Sequence, residues 1–437
     1  MAAASDASDI ALRLDRLPLT RLHLGLVLVC TCAMAAAISE MSLSGALSAI
    51  FSTGASKASS GQLSALLSSV YVGAVIGAPL FGWLADRVGR LNMLVATLSW
   101  VCLTSLAASF AHDILQLTIC RGLAGLALGA MPPLVISLLA DMLAPRHRGA
   151  ATFWCIALST VGPFCTLMFL RGMATSAWFG GESWRLTFVV LALLCLLAAG
   201  AAALLPESPR SLAARGRMAD AARSLARFER SPVLPWQGDA TAAPVVAGAR
   251  PTQPRHLIYT LFALSPWATA SFTILWGAVL TQRGFALNDA LMVVGISMVG
   301  PMLGNIVGSM SLDRIDRRHG LAGCSVVMLL SGAVFVSSDI TWQVVVAATV
   351  FGTVTSIYLS LMNLYAAELF PTEARSRLLA SAWALNRVGA AVAPLLLVPL
   401  LRNHGPQQMF AVIAGTIVAA IVVTCLSPAG RQRQAVA

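Results

Sequence analysis

Lysine is almost missing from this chain: Lys57 is the only one among 437 residues, and Asp, Glu, Lys and Arg together make up 11%. That is less than half the charge an ordinary soluble domain carries. With 58% of residues hydrophobic, a water-soluble globule is excluded. No Cys-x-x-Cys pair and no Cys/His cluster occurs. The cysteines (Cys30, Cys32, Cys102, Cys120, Cys155, Cys165, Cys195, Cys324 and Cys425) sit inside or beside apolar segments, which predicts neither disulfides nor a metal site. His23, His112, His147, His256, His319 and His404 fall at segment ends or in loops, so a histidine proton relay inside the membrane is not expected. No His/Asp, Cys/His or paired-carboxylate cluster lies in the apolar segments, so the chain is not read as an enzyme and no cofactor is expected. The first residues carry Asp6, Asp9 and Asp15 and lack a basic start followed by a cleavage site, which predicts a retained tail rather than a signal peptide.

What fills the chain instead is a series of apolar runs, long enough to cross a hydrocarbon core of roughly 30 Å at about 1.5 Å per residue. Twelve spans are predicted, at 22–50, 62–84, 92–110, 114–140, 149–171, 185–205, 256–281, 289–312, 320–338, 341–366, 376–401 and 408–427. Runs of this length suit helices, which satisfy their own backbone groups in lipid, so an all-α membrane protein is expected. The net charge of +11 is concentrated in the connections, so the lipid bilayer, and not nucleic acid, is the expected partner. With the N-terminus inside, 22 basic residues fall on the cytoplasmic side and 5 on the other (Lys57, Arg171, Arg185, Arg283, Arg402), leaving Arg121 and Arg387 within spans. That asymmetry predicts both termini in the cytoplasm. The preference for arginine over lysine, with abundant alanine, points to a GC-rich bacterial genome and an inner membrane.

The middle of the chain reads as a linker. Pro206-Glu-Ser-Pro-Arg210 ends the sixth span. Ser211 to Arg230 then sets Leu212, Met218, Ala222, Leu225 and Phe228 near helical spacing, which predicts an amphipathic helix along the cytoplasmic surface. Residues 231–254 are rich in Pro, Gly, Ala and Thr and are expected to be flexible. The expected organisation is a tail at 1–21, a six-helix bundle at 22–205, the linker at 206–255, a second six-helix bundle at 256–427 and a tail at 428–437. The halves repeat. Gly82-Trp-Leu-Ala-Asp86-Arg87-Val-Gly-Arg90 follows span two, and Ser309-Met-Ser-Leu-Asp313-Arg314-Ile-Asp-Arg317 follows span eight. Asp86 and Asp313 are 227 positions apart, as are Arg148 and Arg375 in the Pro145–Arg148 and Pro371–Arg375 motifs. Two motifs returning at one offset indicate internal duplication, the usual construction of secondary transporters.

The Gly82–Arg90 motif resembles the signature of the major facilitator superfamily. Arg121-Gly-Leu-Ala-Gly-Leu-Ala-Leu-Gly-Ala-Met-Pro-Pro133, Pro145-Arg-His-Arg148, Ser183-Trp-Arg185, Pro206–Arg210 and Leu369-Phe-Pro-Thr-Glu-Ala-Arg375 are similar to its aromatic acid/proton symporter branch and related metabolite/proton symporters. The resemblance spans the whole chain. It implies twelve helices in two pseudo-symmetric six-helix bundles, a small-molecule substrate and protons as co-substrate. The branch's Asp-Gly-x-Asp motif in span one is replaced here by Ile38-Ser-Glu40-Met, with Glu40 in place of the second acid and the first acid missing.

Glu40, Arg121 and Arg387 are the acidic and basic side chains inside the predicted spans and clear of both ends. A charge at that depth requires a partner, a wet cavity or a ligand. Glu40 lies about ten residues, roughly 15 Å, from the outer end of span one, and Arg121 about seven residues, roughly 10 Å, from that of span four. These depths allow a salt bridge across the outer half of a cavity. Desolvation raises a carboxylate's proton affinity and an adjacent guanidinium lowers it, so movement of Arg121 against Glu40 would load and unload a proton. A static lock between two helices, or an Arg121 that snorkels to the interface, remains an alternative. Gly122, Gly125 and Gly129 line one side of span four, where another backbone can approach. Arg387, near the middle of span eleven, has no acid at comparable depth. It predicts a carboxylate-bearing substrate, unless Asn363 or backbone carbonyls satisfy it. Asn363, Trp383, Trp276, Tyr358, Asn305 and Phe272 are the further candidates for the substrate pocket.

The charged motifs at the cytoplasmic ends are candidate gates. Asp86 and Asp313 are expected to cap neighbouring helices, Arg87, Arg90 and Arg148 to pair with Asp141 or Glu207, and Arg314 and Arg375 to pair with Glu368. The expected function is proton-coupled import of a small organic anion, aromatic or not, by a monomer using alternating access. Gly162-Pro163, a fragment of a span-five motif that exporters often carry, keeps proton-driven export of a siderophore, drug or other metabolite open. A membrane sensor that binds without transporting is the third reading.

Overall fold

A computed structural model describes residues 9–10, 12–53, 57–174, 182–234, 255–311, 316–370 and 375–427. Asp313 and Arg314 lie outside the described residues, as does the side chain of Arg375. The twelve spans are Arg21–Ile50, Ser60–Val88, Arg90–Ser109, Ile114–Met142, Pro145–Met173, Trp184–Ala203, His256–Gln282, Leu287–Gly308, Arg317–Ser337, Thr341–Leu369, Arg377–His404 and Pro406–Leu426.

Helix starts follow local chemistry. Ser59 and Gln62 form a reciprocal capping box on span two, and Asp113 accepts the Gln116 N–H at 2.7 Å to open span four. Asp316 accepts the His319 N–H at 3.1 Å ahead of span nine, and that bond holds its carboxyl below the usual carboxylate range. Pro145 and Pro406 stand in the first turns of spans five and twelve, where a missing N–H costs nothing. Several helices run past the predicted hydrocarbon boundary, so Asp86, Arg87 and Asp141 sit on helical ends rather than in loops. Gly89, at φ 112°, makes the turn between spans two and three.

Spans one to six and seven to twelve form two bundles. In the first, spans two and four touch backbone to backbone. A Cβ on Gly73 or Gly77 would collide with span four, and one on Gly125 or Gly129 with span two, so small residues on both helices set this contact. The bundles meet through spans one and seven, two and eleven, and five and eight. Two opposed spans break at similar depth: span five at Thr160, before Gly162-Pro163, and span eight at Met298, before Gly300-Pro301. Proline removes a ladder hydrogen bond and crowds the preceding turn, which accounts for both interruptions.

The linker forms two short helices, Pro209–Ala214 and Met218–Glu229. Ala221, rather than the expected Ala222, is buried, together with Leu212, Leu225 and Phe228. Part of this apolar face packs with Ile10 and Leu14, so the described stretch of the N-terminal tail is docked. Asp15 joins it to Arg148 and Arg210, and Arg13 donates to Glu229 at 2.7 Å.

The hydrogen bonds that run between the bundles, among the described residues, lie toward the end of the molecule away from the linker. The Ala278 N–H donates to Ser48 Oγ at 3.1 Å, and the Arg402 guanidinium donates to the carbonyls of Ala58 and Phe51. At the same end Gly277 of span seven lies directly against Gly45 and Ala49 of span one. This far end is closed. At the linker end the ion pairs among the described residues stay within one bundle and its attached linker.

Candidate functional site

Glu40 and Arg121 are both buried, at 0% and 1% exposure, so Arg121 does not snorkel. Its Nη1 donates to Glu40 Oε2, and its Nη2 donates to the Glu40 backbone carbonyl at 2.8 Å and to Ser44 Oγ at 2.9 Å. Ser44 lies one turn beyond Glu40 on span one, so a single face of that helix receives the whole guanidinium. Ser105 of span three donates its hydroxyl to the other carboxylate oxygen, Oε1. Phe188 of span six lies below the guanidinium, its ring centre 5.8 Å from the guanidinium carbon. The expected position across the outer cavity is therefore corrected: spans one, three, four and six enclose the pair inside the first bundle. The glycine contact between spans two and four is the scaffold behind it.

Arg387 stands apart. It is half-buried on span eleven and has no hydrogen-bond or ion-pair partner among the described residues. Asn363 does not satisfy it: its Oδ1 accepts the Trp383 indole N–H at 2.8 Å and its Nδ2 donates to Leu359 O at 3.1 Å. Trp383 lies one helical turn before Arg387, on the same face, with its ring edge-on to Phe262 at 5.5 Å. Pro266 has no N–H for the Phe262 carbonyl four residues earlier, and Asn386 Nδ2 donates to that carbonyl at 3.2 Å and to Ser265 Oγ at 2.8 Å. Span seven continues as a π-helix over Trp267–Phe272, a rare geometry that often marks working parts of a protein. These bonds fix the wall beside Arg387.

The remaining pocket candidates separate. Asn305 is half-buried on span eight without a hydrogen-bond partner among the described residues. Phe272 and Trp276 lie instead in an aromatic knot with Phe335, Phe351 and Phe410, and each is no more than 1% exposed. Tyr358 lines a small cavity within the second bundle, beside Ser265, Thr269, Ser325, Met328 and Thr416. These three residues are buried in the core of the second bundle.

At the linker end, Arg90 pairs with Asp141 and donates to Ser137 O at 3.1 Å. Arg87 stacks on Trp83, 3.9 Å from the ring centre, rather than meeting an acid. Arg148 reaches Asp15 at 3.6 Å instead of Asp141 or Glu207. Glu207 accepts the backbone N–H groups of Leu91 and Asn92 at 3.1 and 3.2 Å, capping span three where the helix dipole favours an anion. Glu368 pairs with Arg317 at 3.0 Å. Asp86 is exposed and has no such partner among the described residues. Ser44 and Ser105 were not singled out by sequence, because serines at such positions look like their many neighbours; Glu207 was expected as an arginine partner and instead caps span three.

A family model described as "Sugar (and other) transporter" matches residues 31–428. The chain belongs to this family, within the major facilitator superfamily. It is 29% identical over 352 residues to the putative metabolite transport protein YaaU of Escherichia coli, covering 78% of each chain. It is 29% identical over 367 residues to a gallate transporter of Pseudomonas putida (76% of this chain, 75% of that one). It is 25% identical over 373 residues to the niacin transporter NiaP of Acinetobacter baylyi (82% and 83%). Among solved structures, the inward-open xylose transporter XylE of E. coli shares the fold, with TM-score 0.73 and 15% identity over 94% of this chain and 98% of that one. The protein is a membrane transporter and not an enzyme.

Proposed function

We propose that this family member imports a small organic anion, an aromatic carboxylate, together with a proton, as a monomer in a bacterial inner membrane with both termini in the cytoplasm. One observation carries the reading: Arg121 is neutralised by Glu40, whereas Arg387 has no acceptor among the described residues. A half-buried guanidinium with unfilled donors favours a planar carboxylate, which it can bind bidentately. Trp383, one turn away and held by Asn363, offers an indole face to a flat ring. Gallate and niacin, the cargoes in two relatives' names, are both aromatic rings bearing a carboxyl group.

The arginine asymmetry makes the linker end cytoplasmic. With the far end closed, the described state then corresponds to a carrier facing inward. Its cycle requires separation of Ser48 from Ala278 and of Arg402 from Ala58, and new contacts at the linker end, where Asp86 is available. Glu40 carries the proton, and Arg121 favours its release. Val161-Gly-Pro163 has a counterpart in Val299-Gly-Pro301 on the facing span, so the paired breaks account for Gly162-Pro163 without reference to export.

Purified protein in liposomes is tested with labelled nicotinate and gallate under an inside-alkaline gradient. The expected outcome is accumulation that collapses with a protonophore and is lost in Arg387→Ala. Normal affinity in Arg387→Ala returns that residue to a structural part. Extrusion driven by the opposite gradient replaces import with export.

A further inference from the structure

The Glu40 carboxylate has two chemically different partners. Oε2 faces Arg121, which can only donate hydrogen bonds, so a proton placed there would point at a cation. Oε1 faces the Ser105 hydroxyl, which can donate to a carboxylate or, after rotating, accept from a carboxylic acid. We infer that Ser105 is a positioning residue of the proton site: it directs the proton to Glu40 Oε1 and sets the pH at which it leaves. This rests on the reading of Glu40 as the proton carrier.

The geometry of span three supports a dedicated role. Thr104 and Ser109 on the same helix donate their hydroxyls to carbonyls three or four residues back, the usual arrangement in an apolar helix, and Thr97 does so while also meeting Met131 Sδ at 3.8 Å. Ser105 instead gives its hydroxyl to another span, at 1% exposure. When Glu40 is protonated, the Ser105 hydrogen can return to a carbonyl of its own helix, so the exchange strands no buried group. Arg121 changes less. Two of its three bonds to span one, to the Glu40 carbonyl and to Ser44, are independent of the proton. Ser105 is thus the contact whose direction reverses with the charge.

Few other ionisable groups bear on Glu40. Cys195 of span six faces it, Tyr71 of span two faces Arg121, and Cys102 of span three faces Cys195. Spans five, seven and eight, also packed on span one, carry their charged residues near their ends.

Purified full-length protein is titrated by infrared difference spectroscopy, which needs no substrate. The carboxylic C=O band that vanishes in Glu40→Gln is assigned to Glu40. Ser105→Ala removes a donor from the carboxylate, so the midpoint of this band moves to higher pH by about one unit, and Ser105→Thr, which keeps the hydroxyl, returns it toward wild type. A Ser105→Ala midpoint equal to that of wild type overturns the inference. A shift that Ser105→Thr reproduces instead of reversing also overturns it, since the hydroxyl is then not responsible. If no titrating band disappears in Glu40→Gln, the failure belongs to the reading of Glu40 itself.

Discussion

Gly277→Ala tests the closed far end against an internal control. A Cβ at Gly277 would stand 2.8 Å from Ala49 Cβ and closer still to the Gly45 carbonyl oxygen, and neither helix backbone can yield easily. A Cβ at Gly45 on the same interface would meet nothing nearer than Val294 Cγ1 at 3.4 Å, an ordinary contact. Overpacking by one methyl in such a place costs about 1–3 kcal/mol. Gly277→Ala is therefore expected to shift the balance between far-end-closed and far-end-open states by roughly five- to 150-fold toward opening, with Gly45→Ala near neutral. Spin labels at Lys57 and His404, on opposite bundles at the far end, read the change as a second, longer distance population in an active cysteine-free background. Turnover falls in parallel. Coincident distance distributions for wild type, Gly277→Ala and Gly45→Ala would mean that the Gly277 contact does not hold the far end closed.

Asp86→Asn alters a side chain without a partner in this state, so substrate affinity should hold while turnover drops severalfold; a large loss of affinity contradicts a gating role. Glu207→Gln weakens the cap on span three and should cost about 1 kcal/mol, read as a lower thermal unfolding midpoint, and an unchanged midpoint rejects the capping account. Arg121→Met leaves Glu40 buried without its cation, a loss of about 3–5 kcal/mol while the carboxylate stays charged. A neutral carboxyl escapes that penalty, so the deficit should shrink as pH falls, and a deficit independent of pH would be inconsistent with the pair.

The spans and the duplication were legible because hydrocarbon imposes length and apolarity on every crossing segment. The glycines of span four announced a close helix contact, but its partner, Gly73 and Gly77 of span two, emerged only from the packing. Glu40 and Arg121 could be paired by depth; which way the pair faces could not, since depth along a helix says nothing about rotation around it. The same ambiguity separated Trp383 from Trp276. Both are tryptophans in apolar helices, yet one is held beside Arg387 and the other closes an aromatic knot. In the second bundle that knot fills the interior, where the first bundle holds an ion pair. Ser105 was invisible because most serines in these spans bond to their own helix, and the exception shows only in three dimensions.

In the proposed cycle Glu40 couples a proton to substrate movement. The most direct test is Glu40→Gln in liposomes, comparing uphill accumulation of a labelled carboxylate with exchange against preloaded substrate. Accumulation is expected to fall to equilibrium while exchange continues. Accumulation against the gradient with wild-type pH dependence in Glu40→Gln would contradict that coupling.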